Sequence, residues 1–173
     1  MILRHLLSIA ILPFTVTVII PSWLARRYHV SLTIGTTAPE IVLQVLGVAS
    51  LGVGLVLFAA SLRQFAVRGK GTLAPWDPPK HLVVEGPYRY VRNPMISGVL
   101  FVLFGEALVL QSWPHGCWAL IFLFINLVYI PLFEEPQLER RFGDSYVEYR
   151  RHVRRLLPRL RPWQPGNHHP VSR

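Results

Sequence analysis

Four long stretches of this chain contain only one charged side chain between them, and this constrains the fold more than any other feature. They cover residues 6–25, 41–62, 95–111 and 117–133, and the charged residue is Glu106. A helix of about 20 apolar residues crosses the ~30 Å hydrocarbon layer of a bilayer. Inside that layer a backbone satisfies its hydrogen bonds only as a helix or a closed barrel. The sequence therefore predicts an all-α integral membrane protein with four transmembrane helices.

The run 6–25 has a competing interpretation as a signal peptide. A signal peptide has a shorter apolar core followed by a small-x-small cleavage site, and neither feature is convincing here. We therefore expect a retained helix, kinked at Pro13 because proline removes a backbone donor. The second run follows Pro39-Glu40, a pair of residues typical of a helix start.

The composition agrees with a membrane location. Hydrophobic residues make up 51% of the 173 residues and charged residues only 16%, which is too apolar for a soluble domain of this length. The net charge of +9 would suit nucleic acid, but beside the apolar runs it favours an anionic membrane surface. We predict a lipid bilayer as partner, and no nucleic acid. The single cysteine, Cys117, excludes an internal disulfide and a cysteine-based zinc site, and its apolar surroundings favour an inert buried thiol.

The basic residues are distributed unevenly about the predicted spans. Four spans place the N-terminus, a loop over residues 63–94 and the C-terminal region on one side, with sixteen of the 18 Lys and Arg residues. Only Arg26 and Arg27 lie on the other side. The positive-inside rule makes the basic side cytoplasmic. We expect one multi-pass membrane domain over residues 1–173 in a bacterial inner membrane, with both termini cytoplasmic.

Turn residues meet aromatic and cationic side chains in one short segment before the third run. Residues 85–98 read Glu-Gly-Pro-Tyr-Arg-Tyr-Val-Arg-Asn-Pro-Met-Ile-Ser-Gly, and we call residues 85–94 the platform. Gly86-Pro87 and Asn93-Pro94 are turn signals, and a proline suits the first turn of a helix. Two rigid corners would then hold the tyrosines and arginines at the membrane surface. This pattern predicts a binding site at the mouth of a helix bundle.

Small residues in the second and third runs indicate close packing between helices. Ser50 and Gly54 are four residues apart, and Gly98 and Gly105 are seven apart, which is almost two helical turns. Each pair therefore lies on one helix face. Glu106 in the third run is either a functional acid inside the membrane or a side chain that reaches the interface or pairs locally.

Two adjacent acids, Glu134 and Glu135, follow the fourth run on the same predicted side as the platform. Residues 137–157 then repeat apolar side chains at helical spacing among arginines. This pattern predicts a C-terminal amphipathic helix lying on an anionic interface, which Gly143-Asp144 could interrupt. We expect the tail over residues 158–173 to be poorly ordered.

The residues alone leave the chemistry open. No Ser-His-Asp arrangement, metal-ligand spacing or glycine-rich phosphate loop is apparent, so we predict no metal site and assign no catalytic residue. The acids, arginines and aromatic rings suit a cationic or zwitterionic cofactor. The alternative is that they are interfacial anchors and helix caps without a ligand.

The platform sequence through Gly98, followed by Gly105, resembles the signature of the isoprenylcysteine carboxyl methyltransferase and phospholipid methyltransferase superfamily. The later series Glu134-Glu135, Leu138, Phe142-Gly143, Tyr146, Tyr149, Val153, Arg155 and Pro158 resembles it as well. The resemblance covers about residues 70–160. It implies a membrane methyltransferase that uses S-adenosylmethionine.

The resemblance also implies where the cofactor binds. The pocket would lie between the cytosolic loop, the ends of the last membrane helices and the C-terminal segment. The adenosine side would be lined by His81, Leu82, Val83, Val84 and Tyr88. The methionine side would be held by Arg92, Asn93, Pro94 and Met95, and a polar group of the cofactor by Glu134, with Glu135 beside it.

Departures from the family pattern concern the methyl acceptor. The motif often reads Arg-His-Pro-x-Tyr-x-Gly, whereas Asn93 and Ile96 stand here for the His and the Tyr. Eukaryotic prenylcysteine enzymes resemble one another in an arginine at the position of Ile130. The resemblance implies a membrane-embedded or lipophilic acceptor, with a phospholipid amine or a small thiol as alternatives within enzymes. A non-enzymatic membrane scaffold with the same fold is the alternative of another class.

Overall fold

The computed structural model describes residues 12–68, 82 and 84–164, and of residues 65–68 only the backbone. Within these ranges every regular element is helical and there is no strand, as the all-α prediction required. Several predictions lie outside the described residues. They concern residues 6–11 of the first run, 69–81 and 83 of the loop, including His81 and Val83 of the site, and 165–173 of the tail.

The first run is helical from residue 12 but not uniformly so. A π-helical turn spans Thr15–Ile19, and helix α1 then spans Ile20–Arg27. The hydroxyl of Thr17 donates to the carbonyl oxygen of Pro13 at 2.8 Å. The irregular turn thus follows the proline at which we predicted a kink.

Helix α2 spans Ala38–Arg68. Glu40 in its first turn accepts hydrogen bonds from the backbone N–H groups of Thr36 and Thr37 at 2.8 and 3.1 Å. These bonds satisfy donors that a helix start leaves without partners. The helix continues six residues past the predicted span end at 62, so the loop predicted from 63 begins as helix.

Helices α3, Pro94–Val109, and α4, Trp113–Tyr129, form an antiparallel hairpin. The connection is shorter than expected from the sequence, because α4 already begins with Pro114 in its first turn. Past its end, a π-helical turn spans Ile130–Glu134 and includes Pro131. The polypeptide therefore stays helical from the hairpin turn to the acidic pair.

Helices α2 and α3 pack through facing glycines. A Cβ atom on Gly98 would lie 2.9 Å from the carbonyl oxygen of Gly54, and one on Gly105 would lie 2.9 Å from that of Gly47. Ser50 between them donates to the carbonyl oxygen of Phe101 at 2.7 Å. The predicted packing role of the small residues is confirmed, and it holds α3 closely against α2.

The C-terminal region differs from the predicted amphipathic helix over residues 137–157. Helix α5 spans Glu135–Phe142, Gly143 adopts φ +55°, and helix α6 spans Asp144–His152. Most of the apolar side chains that we expected to face the membrane interface are instead buried or half-buried inside the protein. They form a cluster of Tyr146, Tyr149 and Val153, packed against Leu82, Val84, Leu138, Phe142 and Trp163.

Within the described part of the chain, two helices are long and apolar enough to cross a membrane, judged by length and composition. They are Ala38–Gln64 and Trp113–Phe142, and α3 is apolar but shorter. Only 11% and 17% of their most apolar windows are buried within the fold, so most apolar side chains face outward. The count of four spans stays a prediction. The thiol of Cys117 is exposed on α4, which corrects the expectation that it is buried.

Candidate functional site

The platform is held by local hydrogen bonds. A 3₁₀ turn spans Gly86–Arg89, and Gly86 has φ +54°, a conformation that glycine adopts without steric cost. The carbonyl oxygen of Pro87 accepts bonds from the backbone N–H groups of Tyr90 and Val91 at 3.0 and 3.1 Å. Val91 is fully buried. The two proline corners predicted from the sequence thus bound a fixed turn.

Asn93 joins the start of α3 to the end of the fourth run. Pro94 occupies the first helical turn and is buried, and the side chain of Asn93 does not cap its own helix. Instead its Nδ2 donates to Oε1 of Glu134 at 3.0 Å. Two motif residues that are 41 positions apart in the sequence therefore meet.

Glu135 has different partners. Its Oε1 lies 2.9 Å from Nη1 of Arg92 and 2.7 Å from Nε of Arg155. The side chains of Arg92 and Glu135 are 8% and 7% exposed, so this is a buried ion pair. Nη1 of Arg92 also donates to the hydroxyl of Tyr146 at 3.3 Å. A buried carboxylate needs such partners to remain charged.

The two adjacent carboxylates are therefore not equivalent. Two guanidinium groups offset the charge of Glu135, whereas the hydrogen bond that Glu134 accepts comes from a neutral amide. Nε of Arg92 is buried and has no hydrogen-bond partner among the described residues. Glu134 and this N–H together offer one negative site and one donor to a ligand.

Two tyrosines lie beside this arrangement and connect α6 to the platform. The hydroxyl of Tyr149 donates to the carbonyl oxygen of Tyr88 at 2.6 Å, which ties α6 to the platform. Burial raises the pKa of the Tyr88 phenol, and the negative charge of Glu134 raises that pKa further. Burial likewise raises the pKa of the Tyr149 phenol. Both phenols therefore remain protonated at neutral pH and can donate hydrogen bonds.

Residues 153–163, which we call the strap, run back across the platform. The backbone N–H groups of Arg92 and Asn93 donate to the carbonyl oxygens of Arg154 and Arg155 at 2.9 and 3.1 Å. Farther along, the N–H groups of Arg159 and Trp163 donate to carbonyl oxygens of the platform, those of Tyr90 and Arg89. The tail that we expected to be poorly ordered from residue 158 is thus hydrogen-bonded as far as Trp163.

The described site residues from the sequence lie together. Around the acidic pair and the start of α3 are Tyr88, Arg92, Asn93, Pro94, Met95, Glu134 and Glu135, and Leu82 and Val84 contact the nearby tyrosine cluster. Glu106 does not join them. It lies twelve residues along α3 from Pro94, about 18 Å away by helical rise.

Sequence reasoning missed the strap and its anchor at Ser97. The buried hydroxyl of Ser97 donates to the carbonyl oxygen of Leu156 at 2.7 Å, fixing the strap one turn inside α3. The signal available was the pair Pro158 and Pro162, which disfavours a helix and suits an extended segment. Within the described ranges, no group of three His, Cys, Asp or Glu side chains is placed to hold a metal ion.

Comparison with known protein families gives a match. A family model described as phospholipid methyltransferase matches residues 42–145, which is more than half of the chain. The match runs from α2 through the platform, the α3–α4 hairpin and α5 into the first turn of α6. No curated protein and no solved structure matches the chain.

Proposed function

Because the chain belongs to the phospholipid methyltransferase family, we propose that it transfers a methyl group from S-adenosylmethionine to a lipophilic acceptor at the cytosolic face of a membrane. The family supports methyl transfer to a lipid-related substrate. The cofactor, the site residues and the topology are parts of this proposal. The bilayer is its proposed partner.

The observation that carries the proposal is the hydrogen bond between Asn93 and Glu134. The hydrogen bond holds an acidic side chain against the start of α3, where the side chain of Arg92 also lies. This hydrogen bond brings together the platform motif and the acidic pair, the two segments that carry the family resemblance. A scaffold without a ligand would not require a half-buried carboxylate facing a neutral donor.

The donor set fits S-adenosylmethionine. That molecule carries an ammonium group and ribose hydroxyls, which suit the carboxylate of Glu134, and a carboxylate, which suits the buried N–H of Arg92 that lacks a partner among the described residues. We assign the methionine side to Arg92, Asn93, Pro94 and Met95. We assign the adenosine side to Tyr88, Leu82 and Val84, together with His81 and Val83, which lie outside the described residues.

Glu135 has a positioning role in this proposal. Its charge is already engaged by Arg92 and Arg155, so it holds the guanidinium of Arg92 in place and leaves ligand recognition to Glu134. When bound, S-adenosylmethionine supplies an electrophilic methyl group on a sulfonium. The contribution of the protein is to orient the two reactants and to exclude water from them. We assign no general base.

Apolar surface beside Glu134 supports entry of the acceptor from the lipid. Leu132 and Phe133, directly before the carboxylate, are 63% and 55% exposed. Ile130, at the position of the arginine in prenylcysteine enzymes, is fully buried and offers no cation to an acceptor carboxylate. A phospholipid amine is therefore favoured over a prenylcysteine carboxylate, and a small thiol is the remaining alternative.

Calorimetric binding of S-adenosylhomocysteine to detergent-purified protein tests the cofactor assignment. We expect saturable binding that Glu134→Gln and Asn93→Leu each weaken about tenfold or more, since a hydrogen bond involving a charged group contributes about 1.5–3 kcal/mol. Arg150→Gln is the matched control, because its partner Glu139 lies outside the site and both side chains are substantially exposed. Folded wild-type protein that binds no S-adenosylhomocysteine would favour the scaffold.

Transfer of radiolabelled methyl groups then separates the acceptors. The substrates to compare are phosphatidylethanolamine, a prenylcysteine and a small alkyl thiol, each with lipid-supplemented protein. Label in the phospholipid headgroup supports the favoured acceptor. Label in the thiol alone would contradict a lipophilic substrate.

A further inference from the structure

The strap carries two exposed leucines next to the end of a predicted membrane helix. Leu160 is 99% exposed and Leu157 is 63% exposed. Isolated apolar side chains are common on protein surfaces, so exposure alone decides nothing. Their position is informative, because the carbonyl oxygen of the neighbouring Leu156 accepts a hydrogen bond from Ser97, one turn inside α3.

The charge around these leucines is of one sign. Residues 153–163 contain four arginines and no acidic residue. Arg155 is paired with Glu135, and Arg159 donates to the carbonyl oxygen of His152 at 2.8 Å. Arg154 and Arg161 are exposed. The exposed side chains of the strap therefore include two leucines, Leu157 and Leu160, between two arginines.

This surface replaces the amphipathic helix that the sequence predicted. The apolar face of α6 is buried against Leu82, Val84, helix α5 and Trp163 of the strap, so it does not face lipid. Proline excludes a long helix in the strap, so its side chains project from a segment whose backbone is already bonded to the platform. No further folding is needed for them to meet a bilayer.

We propose that the strap docks on an anionic lipid surface, with Leu157 and Leu160 among the acyl chains and Arg154 and Arg161 beside the headgroups. Basic residues near a membrane are attracted to its anionic lipids, and apolar side chains then partition into the interface. The proposal rests on the membrane placement of α3 in the proposed function. It is independent of the methyl acceptor.

Docking would also stabilise the candidate site. The strap bonds to the backbone N–H groups of Arg92 and Asn93, two residues assigned to the cofactor. A strap held by lipid therefore holds the platform in the geometry described above. Anionic lipid would act as a structural partner of the site, next to any role as substrate.

A fluorescent label at position 160 tests the docking. The variant Leu160→Cys, in a Cys117→Ser background and labelled with an environment-sensitive dye, is placed as one chain per nanodisc in phosphatidylcholine, with or without phosphatidylglycerol. We expect blue-shifted emission, quenching by brominated acyl chains and protection from aqueous iodide in the anionic discs. High salt and the double change Arg154→Gln and Arg161→Gln should reverse these effects, because surface charges are screened.

Ser145→Cys is the matched control, since Ser145 is exposed on α6 and outside the strap. Its label should remain accessible to iodide in both kinds of disc. A label at 160 that stays in water in anionic discs would overturn the proposal, and so would equal burial in discs with and without phosphatidylglycerol. Carbonate extraction separately tests whether the protein is integral, so failure of the strap and failure of the membrane placement give different results.

Discussion

At the scale of single residues, the buried ion pair of Arg92 and Glu135 has the clearest effect on stability. Both side chains are almost fully buried, and their charges are matched within the network of Arg155 and Tyr146. Removing Arg92 leaves the buried carboxylate of Glu135 paired with Arg155 alone, which costs less than the about 3–5 kcal/mol typical of a buried charge left without any partner. The same N–O distance, 2.9 Å, separates the exposed pair of Arg150 and Glu139.

We predict that Arg92→Gln lowers the free energy of unfolding by about 1–3 kcal/mol, because Glu135 loses one of its two guanidinium partners, whereas Arg150→Gln lowers it by less than about 1 kcal/mol. The two ion pairs have the same N–O distance, but the side chain of Arg92 is 8% exposed and that of Arg150 is 37% exposed. The difference in stability therefore follows from burial. Unfolding of both variants by a denaturing detergent, followed by tyrosine and tryptophan fluorescence, measures it. Equal losses would mean that Arg155 alone compensates the charge of Glu135 when Arg92 is absent.

At the scale of secondary-structure elements, glycine contacts determine how α2 and α3 pack. They bring the two backbones together at Gly54 with Gly98 and at Gly47 with Gly105. Because Asn93 precedes α3 directly, the position of that helix on α2 sets the position of the site. Close packing of the two helices is therefore a requirement of the site as well as of stability.

We predict that Gly98→Ala destabilises the protein by about 1–3 kcal/mol, because the added Cβ would lie 2.9 Å from a backbone oxygen that cannot move alone. Gly52→Ala on the same helix pair is the control. A Cβ there meets no atom within 4 Å, and alanine favours the helix by up to about 1 kcal/mol. Thermal unfolding in detergent gives both values, and a neutral Gly98→Ala would show that the helices separate without cost.

At the scale of the molecule, the strap, the platform and the acidic pair lie at one end of the helices. The link between α1 and α2, which contains Ile34 at 88% exposure, lies at the end of α2 opposite to the segment leading to the platform. The predicted topology assigns these two ends to opposite sides of the membrane. This assignment can be checked without knowledge of the substrate.

We predict that Ile34→Cys and Ser145→Cys, each in a Cys117→Ser background, react with an impermeant maleimide from opposite sides. Intact cells should label position 34, and inside-out vesicles should label position 145, because the basic side of the protein is retained in the cytoplasm. Both positions are exposed, so reactivity reports sidedness rather than burial. Labelling of both positions from the same side would contradict the predicted topology.

Much of the fold could be predicted from the sequence because hydrophobicity and turn chemistry are local properties. The apolar runs at α2, α3 and α4 predicted helices, and Pro39 and Pro94 indicated where two of them begin. The platform was recognisable from its prolines and glycine alone. Its residues also indicated the family, and the family match bears that out.

What only the tertiary structure decided is which groups meet across long separations in sequence. Periodicity showed that α6 has an apolar face, but only the fold shows that this face is covered by Leu82, Val84 and Trp163 instead of by lipid. Adjacent carboxylates look alike in a sequence, and their partners, Asn93 for one and two arginines for the other, come from distant segments. Charge and hydrophobicity belong to each residue, whereas burial and pairing depend on the whole chain.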